Sequence, residues 1–458
     1  MNIPEQFNFV EQLFAQADPT ALAVIDQNTS LTYQELHQLV CKLGAWLQAM
    51  HLRPEQRVGM VMKDSAETLA LLLAVMHAGM IAVPLDARAS IQHLEHCIRH
   101  SGCQIVVKDD DVVLPAELPT VNRSLINLHH TPVQATPTHK DSACVFMYTS
   151  GTTGNLKAVV HVHASLYTIG TVTAPHIGYT ASDKTFISAK LHYSFGMFNA
   201  WCTLFTGGTL LLHPGLFIPS TAAKLIVKHQ VSIFLSVPVL FNLLSAQDLE
   251  GHNIRKCICG ADRLNENTYH KWLSKTGVRL NNLYGITEIG GAVTYNSGNA
   301  PVHSVGRVIP GTYIRIDNEQ LYIKAPTTGF CYWHDKAASH DKFGTWMPSG
   351  DIFEQDAEGN LYFVSRANDV IKVNGKFVDV GAIEQHLQTV PGVQDAVVVG
   401  KQDHNGHTRL RAFIVPVPGQ AVDQKNLCVA QVHDIELLDQ LPRTENGKIQ
   451  RYKLRNQM

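Results

Sequence analysis

Tyr148-Thr149-Ser150-Gly151-Thr152-Thr153-Gly154-Asn155-Leu156-Lys157 is the stretch on which the reading of this chain turns. The four residues before it, Cys144-Val145-Phe146-Met147, are apolar and partly β-branched or aromatic, the pattern of a short buried strand. In the stretch itself, glycines let backbone N–H groups close on an anion, Ser and Thr hydroxyls add donors, and the lysine adds a full positive charge. That chemistry suits a polyphosphate. It is not a Walker A loop, because Gly151 and Gly154 lie three apart and Lys157 is followed by Ala158 rather than Ser or Thr.

Further along stands Asn282-Leu283-Tyr284-Gly285-Ile286-Thr287-Glu288, then Ser349-Gly350-Asp351, Arg366, and Pro442-Arg443-Thr444-Glu445-Asn446-Gly447-Lys448 near the end. An aromatic ring for stacking, an amide, a hydroxyl and a carboxylate of the kind Mg²⁺ prefers occur together in the first of these. In this order the segments resemble the signatures of the adenylate-forming superfamily: acyl- and aryl-CoA synthetases, peptide-synthetase adenylation domains and beetle luciferases. That family writes Y-T-S-G-S/T-T-G-x-P-K-G, and this chain departs from it only at Leu156 and Ala158. The likeness recurs at spaced points along nearly the whole sequence.

The resemblance implies an α/β fold in two parts. Residues 1–365 would form a large adenylation domain of layered sheets and helices with the ATP and carboxylate sites. Residues 366–458 would form a small, mobile α+β domain, shortened between Val415 and Asp434. It also implies roles for individual residues. Thr149, Ser150, Gly151, Thr152, Thr153, Gly154 and Lys157 would hold the phosphates. Gly260 and Ala261 would let the adenine and acyl groups approach bare backbone, with Asn282 at the adenine edge and Tyr284 and Gly285 against its face. Thr287 would meet the α-phosphate, Glu288 Mg²⁺, Asp351 the ribose hydroxyls, and Arg366 ribose or phosphate. Asn368 stands at the family's hinge position. Lys372, with Gly375, falls where such ligases promote thioester formation, and Lys448 matches the catalytic lysine.

The segment Leu191–Asn199 aligns with the start of the acid-binding helix, so His192, Tyr193, Ser194, Phe195 and Met197, with Ala261 and Ile286, would line the pocket. Amino-acid-activating relatives place an aspartate there to pair with the substrate ammonium, whose burial without a partner is costly. Tyr193, Ser194 and Phe195 offer no such charge, which points toward a flat aromatic acid. Expected ligands are therefore ATP, Mg²⁺, a small carboxylic acid, and either CoA or the phosphopantetheine arm of a carrier protein. A non-catalytic nucleotide-binding relative is a third reading, disfavoured by the presence of Glu288, Asp351, Arg366 and Lys448 together.

The bulk properties agree. A length of 458 residues suggests more than one domain, and a formal charge of −2 gives no sign of a nucleic-acid partner. The N-terminus lacks a signal-peptide pattern, and the apolar run from Leu69 to Leu85 is short for a membrane span. Nine scattered cysteines fit reduced thiols, so a cytoplasmic location is expected. Cys257 and Cys259 lack a second pair at zinc spacing and read as strand residues, while Asp109-Asp110-Asp111 reads as a solvated turn. His161 and His163 read as alternating residues of one strand. Thr32 and Glu35 form a capping box that opens a helix. Oligomeric state has no signature here.

Overall fold

The computed structural model describes residues 3–150, 156–298, 300–367, 370–373, 376–402, 408–420, 422, 427, 429, 432–442, 449 and 451–455. Its architecture follows from apolar strands that alternate between two buried faces. In the strand Ile233–Ser236, Ile233 and Leu235 enter one core while Phe234 enters another on the opposite face. Cys257 and Cys259 share the Phe234 face, and Ile258 takes the other. The Cys-x-Cys pair thus packs in the cluster that contains Trp272.

Two large sheets result. The nine-stranded sheet runs Arg307–Val308, Gly291–Tyr295, Leu280–Ile286, Lys256–Gly260, Ile233–Ser236, Lys184–Ile187, Thr209–Leu211, Leu22–Ile25, Ser30–Thr32, parallel through its middle and antiparallel at both ends. The seven-stranded sheet runs Cys331–Tyr332, Leu156–Val162, Ala143–Ser150, Ile81–Pro84, Arg57–Val61, Ile105–Lys108, Thr120–Asn122. One continuous core takes Val58 and Val145 from the second sheet, Ile233 and Ile258 from the first, and residues of the helices Tyr33–Ala49, Ala66–His77 and Ser194–Phe205. Every residue of Ala66–His77 except Glu67 is buried, so its apolar run packs inside the protein. No helix among the described residues is long and apolar enough to cross a membrane.

Tyr33–Ala49 begins at the expected capping box: the Glu35 N–H donates to Thr32 Oγ1 at 3.2 Å, and the Thr32 N–H donates to Glu35 Oε2 at 2.8 Å. A four-stranded antiparallel sheet, Tyr313–Asp317, Gln320–Lys324, Met347–Gln355 and Leu361–Arg366, completes the large part. The smaller C-terminal part contains the hairpin Val370–Val373/Lys376–Asp379, the helix Val380–Gln388 and the strands Val393–Gln402, Thr408–Pro416 and Val432–Leu437 around a core of its own.

Two local expectations differ. The strand Leu156–Val162 ends one residue before His163, which instead opens the helix His163–Thr168. Asp109 is buried rather than solvated, and its Oδ2 accepts from the Lys63 N–H at 2.8 Å.

Candidate active site

The decisive stretch is a β-hairpin. Ala143–Ser150 and Leu156–Val162 pair antiparallel, with Thr149 opposite Lys157 and Ser150 opposite Leu156. Gly151, Thr152, Thr153 and Gly154 lie outside the described residues, as do Asn368, Gly375 and Lys448. The Lys157 ammonium sits over the Tyr332 ring, 4.6 Å from its centroid, and the Tyr332 hydroxyl donates to Glu288 Oε1 at 2.6 Å. One tyrosine therefore joins this hairpin to the acid after Thr287. Burial and the adjoining Glu288 carboxylate push the Tyr332 phenol well above its ordinary value, so it stays a donor. Among the described residues Glu288 Oε2 has no hydrogen bond, and a single carboxylate with an open oxygen suits a magnesium ion completed by phosphates and water.

Thr287 is fixed on two sides. Its hydroxyl is 2.9 Å from Ser194 Oγ, at the first turn of Ser194–Phe205, and its carbonyl accepts from His161 Nε2 at 2.9 Å. Burial holds His161 down at about 4, so the imidazole is neutral. Gly285 permits the strand to bend here: a Cβ on it would stand 2.0 Å from the Gly291 carbonyl oxygen.

Tyr284 ends its reach on Asp351, donating to Oδ2 at 2.6 Å, while its ring meets Phe353 edge to face at 4.7 Å. Arg366 Nε lies 3.0 Å from Asp351 Oδ1, yet that buried oxygen receives no aligned hydrogen bond. Burial raises the Asp351 carboxyl above its ordinary range, against the pull of Arg366, Tyr284 and Lys342. A buried oxygen short of a donor suits a sugar hydroxyl. The Asn282 side chain is buried, and its Nδ2 donates to the Ser304 carbonyl at 3.3 Å.

The expected acid-pocket residues divide. The Phe195 ring lies against Gly260, where a Cβ would come within 3.1 Å of it. Ala261 follows at φ +65°, a left-handed conformation that turns the chain sharply off the strand Lys256–Gly260. His192 packs against Tyr193, its Nε2 3.6 Å from Asp86 Oδ2. Ile286 packs in the same cluster as Tyr284, whereas Met197 is fully buried in the central core. Lys372 lies on the strand Val370–Val373 of the C-terminal hairpin.

The sequence pattern described as AMP-binding enzyme matches residues 12–333, and that of the AMP-binding enzyme C-terminal domain matches residues 382–448. The chain belongs to the AMP-binding enzyme family. It is similar to a benzoate–CoA ligase of Thauera aromatica, 27% identical across 100% of this chain and 97% of that protein. It is similar also to a fatty acid–[acyl-carrier-protein] ligase of Streptomyces coeruleorubidus, 27% identical across 96% and 94% respectively. Among solved structures, a benzoate CoA ligase from Burkholderia xenovorans LB400 superposes with a TM-score of 0.87 at 25% identity, covering 98% of this chain and 100% of that one.

Two residues of this AMP-binding enzyme site escaped the sequence reading. Tyr332 sits in an aromatic run, Phe330-Cys331-Tyr332-Trp333, that passes for core. Lys342 donates to the carbonyls of Pro348 and Ser349, at 2.7 and 3.2 Å, holding the start of the strand that carries Asp351. Burial lowers its ammonium, and Glu288 and Asp351 oppose that shift. Only the run of aromatics could have flagged the first; nothing in the local sequence marks the second.

Proposed function

We propose that this enzyme activates a flat aromatic carboxylic acid with ATP and transfers the acyl group to the sulfur of CoA. In the first step a carboxylate oxygen attacks the α-phosphorus, the bond to the β-phosphate breaks, and an acyl-AMP and pyrophosphate form. In the second a thiolate attacks the acyl carbon, the carbon–oxygen bond to AMP breaks, and the thiol proton passes to solvent. The acid is already ionised at neutral pH, so adenylation needs no general base. It needs charge neutralised on the phosphates.

The observation that carries the reading is the linkage of Lys157, Tyr332 and Glu288, with Tyr284, Asp351 and Arg366 meeting beside it. Lys157 and the hydroxyls of the hairpin hold the triphosphate. Glu288 is the residue to hold Mg²⁺, which supplies Lewis-acid neutralisation of the phosphate oxygens when bound. Tyr284 presents its ring to adenine and keeps Asp351 aligned for ribose. Lys448 bridges substrate carboxylate and phosphate in this reading, and Lys372 serves the thiol step after the small domain turns about Asn368. An aromatic acid is supported by the Phe195 ring against Gly260, and by the similar benzoate–CoA ligases.

The carrier-protein relative favours one alternative acceptor, a phosphopantetheine thiol. Acid-dependent ATP–pyrophosphate exchange over benzoic, hydroxybenzoic, cinnamic, fatty and α-amino acids tests the activation step. Exchange with the aromatic acids supports the proposal, and exchange only with amino acids, or none, overturns it. Mass spectrometry of products formed with CoA or with a pantetheinylated carrier then separates the acceptors.

A further inference from the structure

Three helices bring a second group of reactive side chains together among residues to which adenylation assigns no role. Phe9–Gln16 contributes Glu11, Tyr33–Ala49 contributes His37 and Cys41, and the end of Ala66–His77 contributes His77. His37 and Cys41 are four apart and therefore share a helix face. One ligand atom from each of His37, Cys41 and His77 lies within 4.8 Å of the others. We propose that His37, Cys41 and His77 form a binding site for one zinc-type transition-metal ion, with Glu11 orienting both imidazoles from behind.

The role of Glu11 follows from a single oxygen. Its Oε1 lies 2.7 Å from His77 Nε2 and 3.1 Å from His37 Nε2, so both rings direct the same nitrogen at one carboxylate. A metal-binding imidazole typically donates its far N–H to a carboxylate, which fixes the tautomer and leaves the other nitrogen as ligand. For His77 the other nitrogen is the anomaly. The ring is fully buried, yet Nδ1 has no hydrogen-bond partner. Leaving such a group unsatisfied is costly, and a metal removes that cost. Nδ1 faces the helix that carries Cys41: a Cβ on Gly44, three residues after Cys41, would be 3.8 Å from it.

The surroundings hold these groups in place. The Phe14 ring stacks on His37 at 4.4 Å. Asn8 Nδ2 donates to the carbonyls of Met76 and His77, both at 3.1 Å, fixing the end of the helix that bears His77. Two imidazoles and a thiolate select a borderline-soft ion such as Zn²⁺ over Mg²⁺ or Ca²⁺. Cys41 and His37 are only partly buried, which gives the ion an entry and leaves a fourth position to water.

Cobalt titration of the full chain, stripped by chelator and kept in excess Mg²⁺, tests the site without ATP or any acid. Its outcome is therefore independent of the proposed reaction. One equivalent of Co²⁺ is expected to give a sulfur-to-cobalt charge-transfer band and the intense visible bands of a tetrahedral site, both erased by Zn²⁺. Cys41→Ser should abolish the charge-transfer band. His37→Gln, at a partly exposed position, should keep that band but weaken binding by about tenfold or more. Failure to bind, a pale octahedral spectrum, or a band that persists in Cys41→Ser would each overturn the site and leave a plain hydrogen-bonded cluster.

Discussion

Tyr332 is one phenol with two duties: its ring faces the Lys157 ammonium and its hydroxyl holds Glu288. Tyr332→Phe separates them. The ring remains, while a hydrogen bond to a charged group worth about 1.5–3 kcal/mol is lost. Pyrophosphate exchange should fall roughly ten- to a hundredfold at limiting Mg²⁺ and recover in part at high Mg²⁺. Exchange rates measured against Mg²⁺ concentration check this, and a uniform loss at all concentrations would point instead to collapse of the strand. Asp351→Asn removes the charge that Arg366 faces and, under the proposed function, weakens the acceptor offered to ribose. ATP affinity by calorimetry should weaken by about tenfold or more, at ~1.4 kcal/mol per decade. Glu288 could be singled out in sequence by its motif, and Asp351 by its place between that motif and Arg366. Tyr332 and Lys342 were not, because their partners are 44 and 6–7 residues away and are reached only by folding.

At the scale of elements, alternation was the most readable signal. The strand carrying Cys257 and Cys259 could be assigned because a period of two sorts its residues between two cores. The capping box at Thr32 and Glu35 was equally plain, and Thr32→Ala should cost ~1 kcal/mol in chemical denaturation. The boundary at His163 was not readable, since the β-branched run continues to Val162 and the first helical residue has no side-chain cap signal. Close backbone approach was also hidden. A Cβ on Gly196 would stand 2.1 Å from the Lys190 carbonyl oxygen, within the first turn of the helix Ser194–Phe205. Gly196→Ala must displace main chain and, with it, the Ser194–Thr287 contact. Thermal melts should show a loss of about 3 kcal/mol or more, and exchange activity should fall further than stability alone explains.

For the whole molecule, buried histidines set a limit in acid. Burial keeps His161 and His163 down at about 4, whereas an unfolded imidazole takes its proton near 6.5. Between those values the unfolded chain binds more protons, so stability falls as pH drops from about 6.5 toward 4, by at most roughly 3 kcal/mol per histidine. Urea midpoints should decline as pH falls below 6.5, with a shallower decline in His163→Gln. The division into a large and a small part was legible from motif order, because the signatures occur in the sequence in the order in which the two parts are built. The bond between the hairpin lysine and the acid after Thr287 was not, since it passes through a third strand.

Lys157 and Tyr332 belong to the seven-stranded sheet, Glu288 follows a strand of the nine-stranded sheet, and Asp351 and Arg366 belong to the four-stranded one. A nucleotide seated among them would rivet three separately hydrogen-bonded lattices at a common seam. Its arrival should slow deuterium uptake simultaneously in Cys331–Tyr332, Gly291–Tyr295 and Met347–Gln355, segments that share no ladder with one another. Protection confined to one of the three would mean that the seam stays open when ATP is bound.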